Sequence, residues 1–225
     1  MSKVVARAFA GVLGVGVVLA LLMFLPAWTL WYPQAWLYLL AFLGGTTLVT
    51  IYLARNDLGL LESRNEAGPT AETDTTQQVI QSIASLFFLA MFVVAGLDFR
   101  FRWSSVPLWP SVVGDVLVLV GLWIVHRVFK VNSFTAGTVK VDEDQPVTQT
   151  GPYAVVRHPM YSGAILLVLA TPVALGSWWA MLCAVPMALA IAARGFEEEK
   201  LLVAELAGYE AYRDKVRYRI VPYVW

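Results

Sequence analysis

Residues 158–193 read HPMYSGAILLVLATPVALGSWWAMLCAVPMALAIAA, thirty-six positions without one formally charged side chain. A helix crossing a bilayer needs about 20 apolar residues, so a single ordinary span leaves a large surplus. Pro172 and Gly176-Ser177 interrupt the run near its middle, where a helix would break. The stretch therefore reads as a tight helical hairpin of two rather short spans. A hairpin returns to the surface from which it started. Arg157-His158 at its entry and Arg194–Glu199 at its exit are thus expected side by side, although about forty positions separate them.

Outward from the hairpin, the rest of the chain has the same character. It is 225 residues long, 59% hydrophobic and only 14% charged, with a mean hydropathy of +0.66, well outside the range of soluble domains. Ala8 to Ala54 carries no Asp, Glu, Lys or Arg and is interrupted by Pro26 and Pro33 among Trp28, Trp31, Tyr32 and Trp36, as expected of two spans joined by an interfacial turn. A third uncharged run covers Thr75 to Leu97, and a fourth segment, Trp109 to His126, contains one acid, Asp115. The expected fold is all-α: a polytopic integral membrane protein with about six membrane segments, divided into an N-terminal part, residues 1–130, and a core, residues 131–225. Basic residues concentrate on the cytoplasmic side of membrane proteins. With both termini inside, every Lys and Arg except Arg100 and Arg102 falls on that side, which predicts a multi-pass protein of a bacterial inner membrane with a pocket facing the cytoplasm. Between the spans, Arg55 to Gln78 reads as a short interfacial helix, DLGLLESR, followed by a loop. Asp98 to Pro107 reads as a short outer loop.

Several function classes drop out. Lys+Arg and Asp+Glu both total 16, so no nucleic-acid partner is implied. Two histidines and one cysteine on separate segments give no metal-ligand set, and Cys183 allows no internal disulfide; it reads as a packing residue. There is no phosphate loop and no nucleophile elbow. GVLGVGVV, residues 11–18, reads as small residues on a packing face rather than as a nucleotide fingerprint.

Chemistry instead converges on the two ends of the hairpin. His158-Pro159 marks a helix start, where free amides, the positive end of the dipole and Arg157 together attract an anionic group. Arg194 and Glu198 are one turn apart on one helix face. Three adjacent carboxylates, Glu197 to Glu199, oppose the dipole at their helix end, and one or two of them are expected simply to face solvent. Together these residues predict a polar pocket at the membrane surface, open sideways to lipid, able to hold a zwitterionic or anionic small molecule.

GPYAVVRHPMYSG at residues 151–163, the hairpin after it, Arg194 with Glu198 and Glu199, and the tail GYEAYRDKVRYRIVP resemble the isoprenylcysteine carboxyl methyltransferase family and its bacterial relatives, which share a C-terminal signature with phospholipid N-methyltransferases. The resemblance runs from about Val131 to the C-terminus. It implies S-adenosylmethionine as cofactor, held by Gly151, Tyr153, His158, Tyr161 and Glu198, with Val147 and Thr148 near the adenine and Asn132 nearby, and a lipophilic substrate entering from the bilayer. A carboxylate acceptor is already ionised and needs only a cation to orient it, which Arg194 or Arg157 would supply. An amine or thiol acceptor must lose a proton, and Glu198 or His158 would then serve as base. The tail departs from the eukaryotic pattern, EEKLLVAELAGY standing where those enzymes place a Phe-Gly one residue earlier, so the acceptor stays open between an isoprenylcysteine carboxylate, a phospholipid or other amine, and a hydrophobic thiol. Two other classes compete. A sterol-reductase-like enzyme enters a membrane helix through a similar Arg-His-Pro turn but binds NADPH. A small transporter or assembly factor calls for polar groups at mid-membrane, for which Asp115 alone is a candidate.

Overall fold

The computed structural model describes residues 3–65, 68–72, 74–135, 137–138 and 145–225. Lys140, counted above among the basic residues of the inner face, lies outside them. The described residues form eight helices and no strands: α1 Lys3–Ala27, α2 Pro33–Asn56, α3 Leu58–Asn65, α4 Thr75–Phe101, α5 Leu108–Phe129, α6 Pro159–Ala174, α7 Met181–Glu205 and α8 Tyr209–Lys215. Four of them, α1, α2, α4 and α5, are long and apolar enough to cross a membrane. α6 is apolar but has 16 residues, about 24 Å of helix against about 30 Å of hydrocarbon. α7 has 25 residues, but its second half is charged. Of the six expected membrane segments, four therefore have a spanning helix's length and composition, and the hairpin supplies two shorter apolar stretches.

Leu13, Leu21, Leu40, Leu86 and Leu189 stand exposed on the outside of the bundle, a surface suited to lipid rather than water. Inside, helices approach closely where side chains vanish. α5 and α6 run antiparallel with Gly114 against Ala174 and Gly121 against Gly163; a Cβ at Gly114 would lie 2.3 Å from the Ala174 nitrogen. Backbone contact of this kind is how membrane helices associate when no hydrophobic force drives them together.

The end of the hairpin remote from Arg157 is locked by polar groups. Asp98, which belongs to the last turn of α4 rather than to an outer loop, accepts from the Ser104 amide at 2.6 Å, the Ser104 hydroxyl at 2.7 Å and the Ser177 hydroxyl at 2.5 Å. Tyr32, in the α1–α2 turn, donates to the Leu175 carbonyl at 2.6 Å and stacks on Phe99. Buried acceptors satisfied this way fix where the hairpin turns.

At the other end, Ala8, Leu53, Leu60, Leu61 and Phe129 pack together with Met160. That cluster gathers the start of α1, the end of α2, α3, the end of α5 and the start of α6 on one face. The short helix expected after Arg55 is α3, lying beneath this face.

Candidate active site

On that face the loop before α6, the two ends of the hairpin and α8 enclose a half-open cleft. Of the residues singled out in the sequence, Asn132, Val147, Thr148, Tyr153, Arg157, His158, Tyr161, Arg194 and Glu198 line it. Gly151 does not. It sits in the turn leading to His158 with φ +60, and a Cβ there would come within 3.2 Å of Val131, so glycine serves the turn itself.

The centre of the cleft is a pair. Tyr161, one turn into α6, lies across α7 at Gly195, where a Cβ would come 3.0 Å from its ring, and its hydroxyl donates to Glu198 in a very short hydrogen bond. No cation among the described residues lies within ion-pair distance of Glu198.

One flank is a clasp. Glu199, 4% exposed, takes the Arg157 guanidinium at 3.0 and 2.9 Å and that of Arg219 in a shorter contact. His158 Nε2 lies 3.6 Å away, too far for a hydrogen bond. Burial alone would raise the Glu199 carboxyl; the neighbouring His158, then Arg157 and Arg219, outweigh it and hold the group at about 2. The remaining Arg157 donors go to the Val216 and Arg217 carbonyls, both at 2.8 Å. Backbone bonds from Arg157 to Tyr218 and from His158 to Arg219 continue the contact. The C-terminal segment is thus strapped along the Arg-His-Pro turn. Arg157 was one of two arginines expected to orient an acceptor; here its guanidinium is spent on this strap.

The opposite flank holds Arg194, the other. It donates to Glu72 at 2.6 Å, to the Gly137 carbonyl at 3.2 Å and to Gln77 at 3.4 Å. Glu72 is itself almost wholly buried and takes Gln81 at 2.6 Å. Glu72 and Gln77 were not foreseen. They lie about 120 positions from Arg194, and only the packing of α4 on α7 brings them there.

The far wall is polar and aromatic. Asn132 donates to the Tyr153 hydroxyl at 2.9 Å, and Tyr212 donates to the Tyr153 carbonyl at 2.8 Å. Tyr209 is buried there, its hydroxyl without a partner among the described residues. Burial, with Glu198 and Glu199 nearby, pushes both Tyr153 and Tyr209 well above the ordinary phenol range, so both remain neutral hydroxyls. Of the three adjacent glutamates, only Glu197 turns outward, pairing with exposed Lys200.

Comparison with known proteins singles out the same region. The phospholipid methyltransferase family model matches residues 109–206, from the start of α5 to the end of α7, rather less than half of the chain. The match takes in Arg157, His158, Tyr161, Arg194 and Glu198 and leaves out Glu72, α8 and the C-terminal strap. No curated protein matches the chain. Residues 109–206 thus resemble membrane methyltransferases, and they supply the cleft's lining apart from Tyr209 and Tyr212 of α8.

Proposed function

We propose that the protein transfers a methyl group from S-adenosylmethionine to an acceptor carried by a lipid, at the cytoplasmic face of the membrane. The observation that carries this is the convergence on one cleft of Tyr161 with Glu198 and of the 145–148 loop, all within the residues that the methyltransferase match covers. The cleft suits that cofactor chemically. The Glu198 carboxylate, with no ion-pair partner among the described residues, complements an ammonium or sulfonium, and the neutral hydroxyls of Tyr153 and Tyr209 and the amide of Asn132 suit the polar edge of a purine or ribose. When bound, the cofactor supplies an electrophilic methyl group whose bond to sulfur breaks, the electron pair staying on sulfur, as the bond to the acceptor forms.

The chain's own work is positioning and proton handling. Such displacements gain most from alignment, and the strap and clasp that immobilise Arg157 also fix the start of α6, hence Tyr161. Arg194 and Arg157, the two cations expected to grip a carboxylate acceptor, are both engaged, by Glu72 and by Glu199. That favours an amine acceptor, such as a phospholipid head group, over the isoprenylcysteine carboxylate. An ammonium head must lose a proton before its nitrogen attacks; Glu198, poised by Tyr161, takes that proton. O-methylation of an isoprenylcysteine carboxylate is the second reading. It requires Arg194 to exchange Glu72 for the acceptor.

Calorimetric titration of the purified protein with S-adenosylhomocysteine and, separately, NADPH tests the cofactor. Micromolar binding of the first, weakened about tenfold in Glu198→Gln, is expected; binding of NADPH alone would overturn the proposal.

A further inference from the structure

The membrane face remote from the active-site cleft carries a second recess, made of two adjoining parts. The first is a polar cleft between the end of α4 and the start of α2, lined by Thr29, Gln34, Arg100, Arg102, Ser104 and Ser105 among others, with about 900 Å³ of open space. The second is an apolar groove along α1, lined by Leu21, Leu25, Trp28 and Trp36. Both share Thr29, and Trp28 couples them: its ring lines the groove while the Arg100 guanidinium sits 5.5 Å from its centroid.

Charge and backbone mark the place further. Arg100 and Arg102 are the two basic residues that stand against the positive-inside distribution of the rest of the chain. Both are exposed, and neither pairs with a carboxylate among the described residues. The nearby acid, Asp98, is 1% exposed and already saturated by Ser104 and Ser177. Two non-glycine residues with left-handed backbone border the recess, Trp28 at φ 57 and Arg102 at φ 55. At the end of α4, glycine is the usual occupant of such a position. Arg102 stands there instead, and it lines the cleft.

We propose that this recess is a binding site for one anionic phospholipid of the leaflet remote from the active-site cleft, its phosphate between Arg100 and Arg102 and one acyl chain along the Trp28–Trp36 groove. Guanidinium forks bind phosphate oxygens well. Two of them, with no matching acid, favour a head group of net negative charge over a zwitterion, whose ammonium they repel. The groove beside them supplies what a free phosphate cannot use: an apolar wall opening to the hydrocarbon. The site is separate from the proposed methyl transfer and does not depend on it.

The test uses the full chain in neutral detergent, analysed by native mass spectrometry with equal amounts of palmitoyl-oleoyl-phosphatidylglycerol and palmitoyl-oleoyl-phosphatidylcholine. One retained phosphatidylglycerol, preferred by about fivefold or more, is expected. Arg100→Gln with Arg102→Gln should bring the preference to about one, whereas Arg127→Gln with Lys130→Gln, at the other end of α5, should leave it intact. Leu21→Trp, which fills the groove from an exposed position, should reduce retention of both lipids without lowering the thermal transition. An unchanged preference in the Arg100/Arg102 pair, or unchanged retention in Leu21→Trp, would overturn the proposal. So would displacement of the lipid by an equal concentration of glycerol 3-phosphate, which would identify an anion site without a lipid.

Discussion

One turn of α7 presents two neighbouring carboxylates to two different environments. On the side of Glu199 two arginines and the C-terminal strap close around a buried charge. On the side of Glu198 the carboxylate looks into the cleft with a tyrosine hydroxyl as its hydrogen-bond donor. The 100° that separates successive helical residues turns chemically identical groups into a fastener and a charge that faces the cleft. Stability should therefore reside with the first and activity with the second, and substitutions on the two sides should separate.

The largest effect belongs to the clasp. Glu199→Ala leaves Arg157 buried without its partner, and removing one member of a buried pair costs about 3–5 kcal/mol. A clear drop in the thermal transition, followed by tryptophan fluorescence in detergent, checks it. Acid should act the same way. The folded Glu199 carboxyl is held at about 2, below its ordinary 4.5. Its contribution is then fully present above about pH 4.5 and is lost as pH falls from there toward 2. Glu199→Gln should flatten the acid limb of a pH–stability curve relative to the wild type.

Glu198→Gln should behave in the opposite way. Loss of a general base lowers turnover by about 10²–10⁴-fold, while the thermal transition stays close to wild type. A stability loss matching that of Glu199→Ala would erase the distinction between the two sides.

A smaller, more specific effect is expected at Glu72. Glu72→Gln keeps the shape of the loop but removes the charge that neutralises Arg194. Amine methylation should fall by roughly tenfold, and the rate ratio of a carboxylate acceptor to an amine acceptor should rise by a similar factor. Paired assays with a prenylcysteine analogue and phosphatidylethanolamine read this directly.

Smallest of all is Glu197. Its partner Lys200 has a side chain 71% exposed, and surface pairs contribute roughly 0–1 kcal/mol. Glu197→Gln should change neither stability nor activity by a measurable amount, which makes it the control for its two neighbours.

Much of this contrast can be read in the sequence because it rests on local periodicity. The interruption at Pro172 and Gly176 folds the uncharged run back on itself, and the helical repeat puts Arg194 and Glu198 on one face, so the meeting of Arg-His-Pro with α7 follows from spacing alone. Gly208, with φ +85, caps the start of the short helix carrying Tyr209 and Tyr212, again a local signal. What resists such reading depends on partners distant in sequence. Arg157 looks like an anion grip because charge type does not say which carboxylate it will meet, and half of its partners are backbone carbonyls, which leave no trace in side-chain pattern. Glu72 sits in a loop with no periodicity, and only the register of α4 against α7 delivers it to Arg194.

The central claim, that Glu198 faces a methyl donor and a lipid amine in this cleft, is met most directly by one assay. The purified protein is incubated with methyl-labelled S-adenosylmethionine in vesicles containing phosphatidylethanolamine, beside a prenylcysteine analogue, and label is counted in the extracted lipid. The account predicts label in the amine head group, lost in Glu198→Gln and kept in Glu197→Gln. Label confined to the prenylcysteine carboxylate, or transfer undiminished in Glu198→Gln, would contradict it.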